Sequence, residues 1–138
     1  MKSRLIFLFV FVCFCSLLNA TTWHIKQDGT GNFTTIQEGI IASVHSDTVL
    51  VYPGRYYENV NYDGKNITLA SLELITGDES YISTTIIDGN QQGSCVILES
   101  NEFEAVIRGF TITNGSGTIM YGDIYRRWRI SDLSWQST

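Results

Sequence analysis

What most narrows the folding options of this chain is the spacing of its short apolar runs. Between Asp47 and Gly115 the sequence breaks into stretches rich in β-branched and aromatic residues: Thr48 to Tyr52, Tyr57 to Asn61, Asn66 to Ser71, Thr84 to Asp88, Ser94 to Glu99 and Ala105 to Thr113. Pro53-Gly54, Asp63-Gly64, Asp88-Gly89-Asn90 and Asn114-Gly115 punctuate them with turn residues. The starts of the first three runs recur 36, 37 and 39 residues later, so six strands reduce to two similar triplets. Leu72 to Ser83 adds 12 residues between the triplets, and without it the period is 24, within the range of stacked repeats.

Three strands per turn, with each turn climbing onto the last, describe an all-β fold, a short right-handed parallel β-helix of about two to three rungs. Inward side chains then form one continuous column, and Ile67-Thr68-Leu69 lies beneath Phe110-Thr111-Ile112. The same strands admit an antiparallel sandwich, but hairpins call for two-residue Asn-Gly or Asp-Gly loops at each junction and leave the triplets unexplained. One window reads as helix, from about Ile36 to Val44. Ile36, Ile40 and Val44 fall at four-residue steps with Ile41 beside them, and Thr35 with Glu38 matches a capping box. Such a helix suits a cap over the first turn, whose open strand edges invite aggregation; Trp23 to Gln27 is expected to supply an initial strand.

Met1 to Ala20 has a basic start in Lys2 and Arg4, an apolar run from Leu5 to Leu18, and a small residue where cleavage would fall. That is the pattern of a secretory leader; the run of about 14 residues is short of the roughly 20 a membrane span needs. The expected organisation is a leader at 1–20, a β-helix segment at 21–118 and an atypical tail at 119–138, in a secreted or cell-surface protein with no stable membrane span after leader removal. Cys13 and Cys15 leave with the leader, so Cys95, in the apolar run Cys95-Val96-Ile97-Leu98, is expected as a buried thiol without a disulfide partner. The formal charge is −5 for the whole chain, and more negative without Lys2 and Arg4, which argues against nucleic acid, anionic lipid or an unmodified acidic polymer as partner.

Gln27-Asp28-Gly29-Thr30-Gly31-Asn32-Phe33-Thr34-Thr35-Ile36-Gln37-Glu38-Gly39-Ile40 resembles the opening of pectin methylesterases and of the wider secreted, right-handed β-helix, pectin-lyase-like proteins. Asp47-Thr48-Val49-Leu50-Val51-Tyr52-Pro53-Gly54-Arg55-Tyr56-Tyr57-Glu58-Asn59-Val60 and Gly109-Phe110-Thr111-Ile112-Thr113-Asn114-Gly115 look like rungs of bacterial extracellular members of that group. The resemblance covers about residues 22 to 118 and implies the fold; one fold hosts many activities. The paired aspartates, glutamine and arginine by which pectin methylesterases are known have no counterpart here, so no catalytic residue carries over.

Candidate chemistry is correspondingly sparse, with no catalytic residue, metal or cofactor expected. Asp28, Asp63 and Asp88 each precede glycine and read as turn residues. Asp78-Glu79 and Glu99/Glu102/Glu104 lack calcium-loop spacing and read as solvated loop charge. His24 reads as a strand residue and His45 as a helix-end residue whose cationic form suits the dipole. Asn32, Asn66 and Asn114 open N-x-S/T sequences. The candidate binding set is Tyr52, Arg55, Tyr56, Tyr57, Asn59 and Tyr62, where aromatic faces would pack on sugar rings and Arg55 and Asn59 would supply hydrogen bonds.

Ile119 to Thr138 holds three of the seven basic residues and two of the three tryptophans that follow the leader, and it loses the strand rhythm. It reads as a cationic aromatic tail for a partner or membrane surface, as a terminal cap or, ranked first, as a rung pattern cut short by an incomplete or frame-shifted gene. An open last rung is expected to promote self-association. The resulting expectation is an exported, non-catalytic scaffold or binding module with polysaccharide as its partner. The enzyme-class alternative is the N-terminal piece of a carbohydrate esterase or polysaccharide lyase whose active rungs are absent.

Overall fold

The computed structural model describes residues 19–99 and 102–116, so the leader expected at 1–20 lies almost wholly outside the described residues and the 119–138 tail entirely so. Nine short strands and three short helices follow one another: β1 (Thr22–Ile25), α1 (Ile36–Ala42), β2 (Thr48–Val51), β3 (Gly54–Tyr57), β4 (Val60–Asn61), β5 (Thr68–Ser71), α2 (Glu73–Thr76), α3 (Ser80–Thr84), β6 (Thr85–Asp88), β7 (Val96–Ile97), β8 (Val106–Arg108) and β9 (Thr111–Thr113).

The strands form three sheets, in the orders β1-β2-β5-β8, β3-β6-β9 and β4-β7, and every pair is parallel. Antiparallel pairing, the mark of a sandwich, is absent among the described residues. Parallel neighbours cannot be joined by a tight hairpin, so the chain must travel before it pairs again. It does so by visiting the three sheets in rotation, through β2, β3 and β4, then β5, β6 and β7, then β8 and β9. One backbone ladder climbs through the first sheet: the N–H of Thr48 donates to the Thr21 carbonyl at 2.8 Å, that of Thr68 to Asp47 at 3.0 Å, and that of Val106 to Ile67 at 2.9 Å.

The register differs from the triplet reading. Thr68 and Leu69 lie against Val106 and Ile107, not against Thr111 and Ile112, which instead pair with Ile86 and Ile87. The cause is Gly109, whose φ of +79° ends one strand and turns the chain into the next sheet, so Ala105 to Thr113 is two strands. A Cβ there would sit 2.3 Å from the Ser71 hydroxyl, so the corner also requires a residue without a side chain. Tyr57 to Asn61 likewise divides, between β3 and β4. Leu72 to Ser83 is not a spacer between triplets. It bulges out between β5 and β6 within one circuit, and carries α2 and most of α3, which the apolar pattern did not announce.

The core runs between the sheets. Val49 and Leu69 from the first, Tyr56 and Ile87 from the second, and Val60 from the third are sealed from solvent together with Ile25, Tyr62 and Phe110. Helix α1 closes the β1 side. Ile36 and Ile40 are fully buried, and Gly39 packs so closely that a Cβ would meet the Ile25 side chain at 2.5 Å. The capping box is present as expected from Thr35 and Glu38. Both helix ends are also held from the connections on either side of β4: Glu58 accepts the N–H groups of Ile36 and Gln37 at 2.9 Å, and the Lys65 ammonium donates to the Ile40 and Ile41 carbonyls at 2.6 and 2.8 Å. These charges complement the helix dipole. Val44 falls outside this face. The helix ends at Ala42 and Val44 is 62% exposed, so the apolar stripe is shorter than its spacing suggests.

Ile40→Asp would place an unpaired carboxylate in this sealed contact and should cost about 3–5 kcal/mol, whereas Val44→Asp should stay within about 0.5 kcal/mol of the parent. Urea unfolding of both variants checks this; similar losses at the two positions would mean that α1 does not pack as described.

Candidate functional site

Side-chain amides meet the first strand edges. The Gln37 amide donates to the Asn61 carbonyl at 3.1 Å and accepts the Asn61 N–H at 2.8 Å, so it pairs with β4 as a neighbouring strand would. Gln27 donates to the Arg55 carbonyl on β3 at 2.8 Å. The outer edge of β1 is met by Asn32 and Phe33, whose N–H groups both point at the His24 carbonyl. The β1 side is thereby finished, and these same loops shape the surface around Tyr52.

There, Lys26, Gln27, Asp28, Tyr52 and Pro53 line an open cleft of about 380 Å³. Register places them. Ile25 pairs with Val51, so the next residues in each chain segment, Lys26 and Tyr52, emerge side by side. The Lys26 ammonium stands 4.4 Å from the centre of the Tyr52 ring, a cation–π distance, and the Tyr52 hydroxyl lies 3.3 Å from His24 Nδ1. Asp28 is held in a tight turn by the N–H and hydroxyl of Thr30, and these bonds lower its carboxyl below the usual range. The cleft therefore offers an aromatic ring, an ammonium, a carboxylate and an amide within a few residues, a set suited to stacking and hydrogen bonding with a polyol.

The six expected binding residues separate into two groups. Tyr52 is at the cleft, while Arg55 and Tyr57 alternate with buried Tyr56 along β3 and face outward. Tyr57 is 65% exposed. Asn59 is exposed, but its amide nitrogen donates to the Ser94 carbonyl at 2.9 Å and ties two circuits together. Tyr56 and Tyr62 are a correction: at 1% and 0% exposure they are core residues that no sugar can reach. The Tyr56 hydroxyl donates to the Tyr52 carbonyl at 2.9 Å, so it supports the cleft from within. Burial, helped by the charges of Glu58 and Asp28, pushes that hydroxyl up to about 12. Tyr62 donates to the Val106 carbonyl at 2.8 Å, and burial pushes its hydroxyl up as well. His45 lies three residues past the end of α1, and its Nδ1 accepts the Asn66 N–H at 3.0 Å.

Asp88 is a turn residue as expected, accepting the Asn90 N–H, and like Glu73 and Glu102 it also bonds groups distant in sequence. Asp88 is 2% exposed, and it accepts Arg55, the Asn90 N–H and the Asn114 amide. Burial works to raise its carboxyl, but these bonds prevail and hold it below the usual range. Glu73 is gripped by Arg108 through two bonds of 2.7 Å, which lower its carboxyl against the effect of burial. Glu102 is buried and accepts the Gly64 N–H at 2.8 Å. Cys95 is buried as expected, its thiol donating to the Thr113 carbonyl, and burial pushes it up. Among the described residues no group of three His, Cys, Asp or Glu side chains converges to hold a metal, and no helix is long and apolar enough to cross a membrane.

No protein family, curated protein or solved structure was found to match this chain.

The sequence reading missed Lys26, Gln27 and Asp28 as neighbours of Tyr52. The available signal was the likeness of Trp23-His24-Ile25 to Val49-Leu50-Val51, each followed by a polar turn, which aligns Lys26 with Tyr52 once the strands are paired.

Depressed carboxylates contribute stability that is full above their unfolded values, near 4, and is lost as pH falls through the lower folded values. The urea midpoint should therefore fall steeply below about pH 4, and Glu73→Gln should lower it at pH 7 while flattening its fall in acid. A midpoint whose acid slope is the same in parent and variant would contradict the assigned role of Glu73.

Proposed function

We propose that this chain is an exported, non-catalytic module of the pectin-lyase-like kind, a right-handed parallel β-helix that presents an outer surface to polysaccharide. The coil is supported by rotation of the strands through three parallel sheets and by the ladder from Thr21 through Asp47 to Ile67. The right-handed sense follows from the general handedness of parallel crossover connections. Export is supported by the basic start, apolar run and small residue of the first twenty positions.

The observation that carries the ligand class is the cleft around Tyr52, flanked by the outward row of Arg55 and Tyr57. Sugar recognition needs an apolar ring face beside fixed hydrogen-bonding groups, and Tyr52 with Lys26, Gln27 and Asp28 supplies both. Tyr57, projecting from β3 with most of its surface in solvent, offers a second exposed ring. A neutral or partly esterified polymer suits the site better than a fully charged one, because the chain is strongly acidic.

Titration of the purified chain against neutral and methyl-esterified plant and bacterial polysaccharides tests this. Binding should weaken at least about tenfold in Tyr52→Ala, equivalent to about 1.4 kcal/mol, with a smaller loss in Tyr57→Ala and little change in Val44→Ala. If no polysaccharide binds, or if Tyr52→Ala binds as the parent does, the ligand assignment fails.

A further inference from the structure

Asp47 is a buried carboxylate without a side-chain cation. It is 2% exposed and accepts three hydrogen bonds, from the Thr21 nitrogen at 2.8 Å, the Trp23 indole at 3.1 Å and the Val44 N–H at 3.0 Å. Glu73 and Asp88 each face an arginine within salt-bridge distance, whereas Asp47 has no such partner among the described residues. Lys65, the cation that acts on it through space, spends its ammonium on the Ile40 and Ile41 carbonyls. A buried carboxylate favours an opposite charge, and of the three groups this one accepts from, the Thr21 nitrogen is the one that could carry it.

That nitrogen belongs to the residue immediately after Ala20, the small residue that closes the leader pattern. Asn19, Ala20, Thr21 and Thr22 are all exposed, so the bond between Ala20 and Thr21 is open to attack. We infer that leader removal after Ala20 turns the Thr21 amide into an α-ammonium that completes an ion pair with Asp47, so that export itself locks the first strand. The inference rests on the exported reading above. A leader-removing peptidase adds water across the Ala20–Thr21 peptide bond; the hydroxyl goes to the Ala20 carbonyl carbon, the C–N bond breaks, and the nitrogen gains the proton. A free α-amine has an ordinary value near 7.7–8.0 and is therefore mostly charged at neutral pH.

The geometry needs no rearrangement. The Thr21 nitrogen already sits at the length of a charge-assisted bond, and the Thr21 carbonyl accepts the Thr48 N–H at 2.8 Å, so the residue is pinned at both ends. Asp47 in turn bonds Val44 just past α1 and Trp23 within β1, and its own carbonyl accepts Thr68 from the next circuit. One carboxylate thus joins the new chain end, the first strand, the capping helix and the second circuit. Before cleavage the same oxygen receives only a neutral amide, which is the weaker bond.

The full 138-residue chain should be expressed with its leader in an exporting host, its product purified, and the first residue determined by Edman sequencing. Thr21 is the expected first residue; a different first residue, or a retained leader, would overturn the processing step without reference to the lock. The same product should then be compared with its Nα-acetylated form, alone and with Asp47→Asn. The free-amine protein should melt roughly 4–8 °C above the acetylated one, and the gap should vanish in Asp47→Asn. If that variant does not fold, the rate at which an amine-selective reagent at pH 7 labels Thr21 in the parent serves instead, with slowing relative to the urea-unfolded chain expected. Equal melting of the two forms, a gap that persists in Asp47→Asn, or unslowed labelling would overturn the ion pair.

Discussion

Parallel pairing leaves a row of backbone donors and acceptors along every outer strand, and the architecture is organised around satisfying that row on the β1 side. In an antiparallel sheet a hairpin can supply the next strand within two residues; a parallel sheet cannot close itself so cheaply, and its first strands must borrow partners from elsewhere. Here Gln37 pairs with β4 through both ends of its amide, Gln27 reaches the Arg55 carbonyl of β3, and the Asn32-Phe33 segment lies along β1. Helix α1 then covers the apolar cross-section beneath them, with Gly39 allowing contact with Ile25 and Val49.

Charge is used sparingly and for the same end. Glu58 and Lys65 come from the loops on either side of β4 to hold the two ends of α1, so the helix is fastened by the strands it packs on. Glu73 and Arg108 join the excursion between β5 and β6 to the next strand of the first sheet, and Arg55 with Asp88 joins adjacent strands of the second. These contacts connect residues more than 20 positions apart and tie strand to strand, while the one cysteine among the described residues, Cys95, is free.

The sequence made the strand-rich middle, the Thr35–Glu38 cap and the buried Cys95 legible, because each depends on neighbours within a few positions. Parallel pairing followed from the absence of hairpin loops. Register did not, since it is decided between residues 20 or more apart: Thr48 meets Thr68, and Gly54 meets Thr85, so circuit lengths differ and equal spacing misaligns the later strands. Gly109 sits inside an apolar run that reads as one strand, and only its closeness to Ser71 explains the corner. The tyrosines show the same limit. Tyr56 and Tyr57 are adjacent and chemically identical, yet strand alternation buries one and exposes the other. Around the cleft, Tyr52 stood out in the sequence, whereas Lys26 and Asp28 came into view only with the pairing of Ile25 with Val51.

The central claim is the layered parallel register, and interproton contacts in a uniformly labelled chain test it most directly. The account predicts close contacts linking the Thr68 amide to Asp47 and Thr48, and the Val106 amide to Ile67 and Thr68, each between strands running the same way. Strong Hα–Hα contacts between β2 and β5 or between β5 and β8, the sign of antiparallel neighbours, would contradict the layers, the cap built on them and the cleft that their register creates.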